Sequence, residues 1–587
     1  MKTFRIIPLI IVLWILCGCK NEVSTVENLM TFAKVYGYVK YFHPSDEAVQ
    51  VDWNRFSIYG AAQIAKCKSK KELLNTLNDL FKPIAPSIII SAEIEDWIID
   101  NGNFTPIDTT IINSTFWQHQ GVSIDMEQRS QIYSSKRIHR NVEDLLFDYE
   151  PDFGENITEE VGDGIWCMIP LVLYCDSQNT YPVSDHEKIE NLKHELENVN
   201  GTDPENLFLR LGNTINVYNV FQHFYPYFDV VEVNWEDELR SALIQSFVDS
   251  NANDHIITLE KFMAPLKDGH ITVNYPNSER CIYVPPISWE WIEGKLIITK
   301  YYGDIHPIKL GDEVTRIDGQ DPKKYFNEIY SRISAGTNGW LHYRANVKSL
   351  QGEWNTKVSL ELNGSSTIEL ERYMNPNRQG VYDLNARYRE IEDGIWYLNL
   401  DLIEMDTINR LMSKLNQSKA IICDLRGYPN GNHDFIRHLI SENDTSKSWM
   451  QVPQIIYPNH EKVVGYELGN WMEFMKPIKP YLGDKETIFI IDGRAISWAE
   501  SYMGFVEGYK LATIIGQPTA GTNGDTNLFK LPGGISILWT GMKVLKHDGS
   551  QHHGIGILPD IYLEKTIQGV KDGLDEYLEK ALELVVD

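Results

Sequence analysis

The chain has 587 residues, and its acidic side chains outnumber its basic ones 82 to 54, for a formal charge of −28. So negative a protein is excluded from nucleic-acid binding, which needs a basic face, and its composition suits a solvated extracytoplasmic protein. The length suits roughly three to five domains.

At the N-terminus, Lys2 and Arg5 precede an apolar run, 6–16, that is too short for a stable bilayer span. The run closes on Leu16-Cys17-Gly18-Cys19, which resembles a bacterial lipobox. Residues 1–19 are therefore expected to be a lipoprotein signal peptide. Cys19 would be the lipidated residue and the lipid anchor in the membrane, placing the protein in the bacterial cell envelope, on the periplasmic or surface side. The plainer reading is an ordinary secretory leader. No later run reaches about 18 apolar residues, so lipid is the membrane attachment to expect. Five further cysteines follow (Cys67, Cys167, Cys175, Cys281 and Cys423), an odd number that cannot all pair. Cys167 and Cys175 are the close couple where one disulfide has room to form. With neither CxxC nor HExxH present, no metal and no cofactor is expected.

A degenerate duplication follows, at an ungapped offset of 182 residues. Val35-Tyr36 matches Val217-Tyr218, Phe42-His43-Pro44 matches Phe224-Tyr225-Pro226, and Trp53 matches Trp235. Each copy reads as a helix, an aromatic break at proline, a Trp-headed segment and further helix. The copies occupy 20–91 and 196–280. In this register His270 of the second copy falls on Ile88 of the first, so the second alone carries an ionisable group at its tip. Between the copies, 92–195 is aromatic and β-prone and is expected to be a small β-rich domain.

Residues 281–375 read as mainly β. Gly311-Asp-Glu-Val-Thr-Arg-Ile-Asp318-Gly319 resembles part of a PDZ domain, a module that takes peptide ends as an added strand. The preceding 303–309 is short for the usual helix, so a trimmed PDZ-like module is expected. In the last part, 376–587, strands are expected near 394–400, 420–425, 488–491, 512–515 and 535–539. Helices are expected near 406–416, 433–441, 497–508 and 569–585. Such alternation implies crossovers and a largely parallel layered core. The fold class is α/β multidomain.

Four segments carry a further resemblance. Ile488-Phe-Ile-Ile-Asp-Gly-Arg-Ala-Ile-Ser497-Trp-Ala-Glu500 is a strand, a turn and a serine where a helix begins. There the hydroxyl stands clear of the sheet and helix N–H groups face a developing oxyanion; the plainer reading of Ser497 is an N-cap. With it go Asp424-Leu-Arg426-Gly-Tyr-Pro-Asn-Gly431, the closing Gly554-Ile-Gly-Ile-Leu-Pro-Asp560, and Leu266-Lys-Asp-Gly-His270. Together they resemble the S41 serine peptidases, both the C-terminal processing (tail-specific) proteases and the tricorn-type core. The resemblance implies an S41-like α/β protease core acting on polypeptide substrates.

The processing proteases use a lysine about 25 residues after the serine. Here that position is Thr522, which cannot accept a proton at neutral pH, so the Ser-Lys dyad is absent. The tricorn-like alternative makes Ser497 the nucleophile and His270 the general base. Glu500 is the first candidate to orient the imidazole, with Asp525 and Asp548 also open, and His552 and His553 are alternative bases. The oxyanion hole is assigned to the Trp498 N–H and the 427–431 turn, at Gly427 and Gly431. Asp424 and Arg426 are expected to pin that turn as an ion pair. The reading is a serine endopeptidase of the cell envelope. The rival is a catalytically inactive S41-like carrier of a ligand or peptide, or an envelope scaffold. Oligomeric state is left open.

Overall fold

The computed structural model describes residues 8–93, 113–123, 132–140, 142–275, 282–303, 305–375, 387–446, 449–468 and 475–586, with side chains from residue 24 onward. The side chain of Cys19, residues 1–7 and Cys281 lie outside the described set, so the lipidation and signal-peptide expectations fall outside it too. Among the described residues, no helix is long and apolar enough to cross a membrane.

Helices of the two copies fall at corresponding positions. Helices Pro8–Phe42 and Leu207–Phe224 end at matching aromatics. Trp53–Ile64 answers Trp235–Val248, and Lys70–Phe81 answers Ala252–Met263. The caps match as well: Asp52, Ser69, Asn234 and Asn251 each accept the backbone N–H three residues on, which sets each helix start. The two copies do not form separate cores. Phe42 stacks at 6.3 Å on Phe224, the Tyr36 hydroxyl donates to Asn216 Oδ1 at 2.7 Å, and one apolar cluster runs from Val26 through both copies to Trp539. Each such buried aromatic or aliphatic side chain contributes about 1.5–3 kcal/mol, so the helical body and the strand around Trp539 fold as one unit.

The copies diverge at their tips. In the first, Ile88 is fully buried and leads into strand Ile89–Ser91, which pairs with Ile165–Pro170. In the second, Lys267 turns left-handed (φ 55°), Asp268-Gly269-His270 follows, and strand Thr272–Asn274 pairs antiparallel with Ile535–Thr540.

The region expected as a separate β domain is stitched into the core: strand Asn113–Gln120 pairs with Met450–Ile455 as well as with Ser134–His139. Cys167 and Cys175 are both buried free thiols, so the disulfide is not formed. Strands Ile287–Ile292, Lys295–Tyr301, Val314–Ile317, Lys357–Leu362 and Ser366–Glu371, with helices Pro322–Tyr330 and Asn338–Leu350, surround their own apolar cluster.

The core sheet runs in the order Tyr388–Glu392, Ile395–Asn399, Ala420–Asp424, Glu486–Ile491, Thr513–Gly516, Ile561–Tyr562, parallel after the first antiparallel pair. The central strands are buried on both faces, as their near-continuous apolar runs, Ala420–Cys423 and Ile488–Ile491, require. Two expectations need correction. Ile535–Thr540 belongs to a separate antiparallel sheet with Thr526–Leu531 and Thr272–Asn274. The helix expected over 569–585 is two helices, broken where Gly573 turns left-handed at φ 68°.

Candidate active site

Strand Glu486–Ile491 ends in a tight loop. The Asp492 carboxylate accepts the Arg494 N–H at 2.9 Å and pairs with the Arg494 guanidinium. The chain then reaches Ser497 at φ 58° and ψ −117°, a strained conformation for a residue with a side chain. Ser497 occupies the N-cap position of helix Trp498–Gly508, yet its hydroxyl makes no capping hydrogen bond. Its carbonyl accepts the Glu500 and Ser501 N–H groups instead. The plain capping role is therefore not what this serine performs. A Cβ on Gly493 would fall 2.4 Å from the backbone of Gly339, so the loop before Ser497 rests directly on the start of helix Asn338–Leu350.

Thr522 joins the serine to the histidine segment. Its carbonyl accepts the Ser497 N–H at 2.9 Å, and its hydroxyl accepts the Gly269 N–H at 2.9 Å. Ser497 and His270 thus hang on one residue, although their side chains do not hydrogen-bond directly. The His270 Nδ1 lies 2.8 Å from Thr540 Oγ1. The Thr540 hydroxyl is 2.7 Å from Asp268 Oδ1, its N–H donates to Asp268 Oδ2 at 2.7 Å, and Asp268 Oδ1 also accepts the His270 N–H at 2.9 Å. With Asp268 acting as acceptor, the Thr540 oxygen must receive a proton from Nδ1–H. That fixes the tautomer and leaves the Nε2 lone pair free to act. Burial pushes the His270 pKa below its ordinary 6.5, against the opposing pull of the Asp268, Glu500 and Asp525 carboxylates.

Glu500 is not the group that orients His270. It is fully buried and accepts the Thr519 hydroxyl at 2.5 Å, the Gly521 N–H at 2.7 Å and the Thr522 N–H at 2.9 Å, and it lies 3.4 Å from His552 Nε2. Burial raises its pKa, but the His552 imidazole and these donors together hold it below the usual carboxylate range. Its place is to shape the 519–522 loop. Asp548 bonds to Ser550 in an exposed turn, and Asp525 reaches His270 through space without bonding to its ring. His553 stacks on Tyr227 at 3.8 Å with its pKa pushed down to about 4 by burial, as a packing residue would be. Asp268 and Thr540 were missed in the sequence. Asp268 was visible only as the partner of Gly269 in a turn, and nothing in the sequence singles out Thr540.

The oxyanion assignments also change. The Gly427 N–H donates to Asp401 Oδ1 at 3.2 Å and the Gly431 N–H to the Pro429 carbonyl at 3.1 Å, so neither is free to meet an oxyanion. Between them lies Tyr428, 53% exposed, whose hydroxyl lies against the Ser497 hydroxyl and the Trp498 N–H. The turn is pinned from below as expected: Arg426 holds Asp424 through two bonds, at 2.9 and 2.6 Å, and also holds Asp575. Half-buried Asp401 has its pKa raised to about 7 by loss of solvent and by the neighbouring Asp424 carboxylate.

Residues 395–563, which include Ser497 but not His270, match the model of Peptidase family S41. The chain is similar, at 23% identity over 266 residues, to a "Probable CtpA-like serine protease" of Staphylococcus aureus (strain bovine RF122 / ET3-1); the match covers 44% of this chain and 47% of that protein. It is 24% identical over 231 residues to a "Carboxyl-terminal-processing protease" of Synechocystis sp., covering 37% of this chain and 50% of the relative. The chain thus spans about half the length of the curated relatives it matches. Among solved structures, mature CPAF superposes with a TM-score of 0.51 at 15% identity, over 65% of this chain and 97% of CPAF, a likeness of fold. Residues 395–563 are thus similar to peptidase family S41, and the relatives matched are named as a probable serine protease and a carboxyl-terminal-processing protease.

Proposed function

We propose that the protein is a serine endopeptidase that cleaves polypeptides, with Ser497 as nucleophile and His270 as general base. The observation that carries the reading is an uncapped, strained serine sharing Thr522 with a histidine whose Nδ1 is held by Thr540 and Asp268. In the first step Ser497 Oγ attacks the scissile carbonyl as His270 Nε2 takes its proton. The imidazolium then protonates the leaving amine, and the acyl ester remains on Ser497. Water, deprotonated by the same Nε2, releases the acid and restores the serine. Asp268, acting through Thr540, stabilises the imidazolium between these transfers. The Trp498 N–H receives the oxyanion once the Tyr428 hydroxyl moves aside, a tightening that such sites complete around substrate.

A fluorophosphonate probe tests this reading. Labelling of wild-type protein, absent in Ser497→Ala, is expected together with turnover of denatured casein. Unlabelled, inactive wild type would overturn it.

A cleft of about 2320 Å³ between the 282–375 module and the core favours a second reading, a carrier of a peptide or other ligand. Its sign would be ligand retention without labelling. In either reading Cys19 is proposed as the lipid anchor in the cell envelope, and 281–375 as a PDZ-like module feeding the site. Cys19→Ser should move the protein from salt-washed membranes to the soluble fraction, because salt strips charge-held protein but not lipid-held protein.

A further inference from the structure

Gly269 and Ile271, the chain neighbours of His270, line a second and much smaller cavity of about 60 Å³, walled also by Thr272 and Val273 and by the basic face of helix Asn338–Leu350. That is room for a few waters, or for one carboxylate group. Trp340, Arg344 and Lys348 follow at four-residue spacing, so they share one face of the helix. Arg332 and Lys348 both bind Glu260, at 2.8 and 2.7 Å. Arg344 lies over the Trp340 ring, 5.6 Å from its centre, and pairs with no carboxylate among the described residues. Three cations therefore face one acid. Burial lowers the Lys348 pKa and Glu260 restores part of it, while Arg332 and Arg344 lower it further.

The second observation is independent of charge. Trp340 is 7% exposed, and its Nε1–H has no acceptor among the described residues. Nε1 stands where a Cβ on Gly269 would meet it at 2.9 Å, so glycine at 269 keeps the approach open. A buried indole N–H without an acceptor is costly, and an anion on the cavity floor would satisfy it. Strand Thr272–Asn274, which starts two residues after His270, is an edge strand, so an extended peptide beside it passes the cavity mouth.

We propose that this cavity is a substrate subsite for a carboxylate, held by Arg344 and Lys348 with the Trp340 indole N–H as a further donor. The proposal rests on the polypeptide-substrate reading above. The carboxylate has two sources, an acidic side chain near the scissile bond or the C-terminus of the chain being cleaved.

The test measures binding to Ser497→Ala protein, so it does not depend on turnover. Fluorescein-labelled decapeptides carry one Glu moved residue by residue through a neutral sequence, each with its Gln counterpart, and every peptide is made with a free and with an amidated C-terminus. Fluorescence anisotropy should show about a tenfold tighter Kd for one Glu position over Gln, or for the free over the amidated end, the value of one charge-assisted hydrogen bond. The first result assigns a side chain and the second a terminus. Adding Arg344→Glu should abolish the preference while circular dichroism and the melting temperature stay unchanged, since Arg344 is exposed and unpaired. Equal binding of every Glu and Gln peptide with both kinds of end, or a preference that survives Arg344→Glu, would overturn the subsite. Loss of all peptide binding by Ser497→Ala would instead count against the polypeptide-substrate reading.

Discussion

The carbonyl oxygen of Thr522 accepts the N–H of Ser497 at 2.9 Å, and it does so from the position where a Ser-Lys enzyme would carry its lysine. Thr522 acts as a brace: its hydroxyl holds the Gly269 N–H, and through it the histidine segment. Thr522→Val leaves that part-buried N–H without its acceptor, a cost of about 1 kcal/mol. The expected outcome is a lower melting temperature and a kcat reduced by roughly tenfold, with Thr522→Ser restoring both. Thr522→Lys should give no gain in turnover if His270 is the base, as proposed. A Thr522→Lys protein more active than wild type would show that the natural site lacks a working base.

Ser497→Ala and His270→Ala should each lower kcat by at least about 10³-fold, and the double variant should be no worse than either, because members of one catalytic unit are not additive. Steady-state cleavage of a fluorogenic peptide measures all three. Losses that multiply in the double variant would mean that the two residues act independently.

The His270 ring must be neutral to accept the serine proton. Its pKa is already below 6.5, so the acid limb of kcat/KM in the wild type should lie below pH 6.5. Asp268 raises that pKa, so Asp268→Asn should move the limb to still lower pH while reducing kcat by about 10²-fold or more, as expected when an imidazole loses its orienting partner. Thr540→Val should cut kcat in the same way, and Thr540→Ser should recover most of it. If both variants keep the wild-type pH profile and kcat, the relay has no catalytic part.

Glu500 bears on stability. Its pKa is depressed in the folded protein, so it contributes stability above the unfolded carboxylate pKa, and that contribution is lost as pH falls through the lower, folded value. Glu500→Ala strands the His552 imidazole and two loop N–H groups in a buried site and should cost about 3–5 kcal/mol at neutral pH. Its melting temperature should vary less with pH in the acid range than that of wild type. An unchanged melting curve would mean that the loop is held without Glu500.

Much of this was legible in the sequence where local rules act alone. The apolar runs within 420–425 and 488–491 marked two central strands, and the matching aromatic breaks and Trp-headed segments marked the repeated helices. The offset of 182 residues singled out His270 before any contact was known, because it showed a scaffold that can be built without a histidine. What could not be read is what depends on distant pairing. Strand Ile535–Thr540 looks like any other β-prone run, and only its partner Thr272–Asn274 shows that it belongs with the histidine. Glu500 lies one helical turn from Ser497, the distance at which an orienting acid would sit, yet three donors from the 519–522 loop capture its carboxylate. The glycines at 427 and 431 marked a turn correctly, but composition cannot say which N–H groups of a turn are already occupied.

The register of that small sheet has a further consequence. Leu538 faces Thr272 and Ile537 faces Val273, and the same series continued outward sets Thr540 opposite His270. The contact between His270 and Thr540 is therefore counted in residues rather than adjusted in fractions of an ångström. A slip of one residue would turn the Thr540 side chain to the opposite face, and a slip of two would carry it away by about 7 Å. Catalytic geometry here changes in whole steps, so single-residue insertions or deletions between 535 and 540 should be all-or-none in their effect, whereas surface loops of equal length elsewhere can drift without consequence.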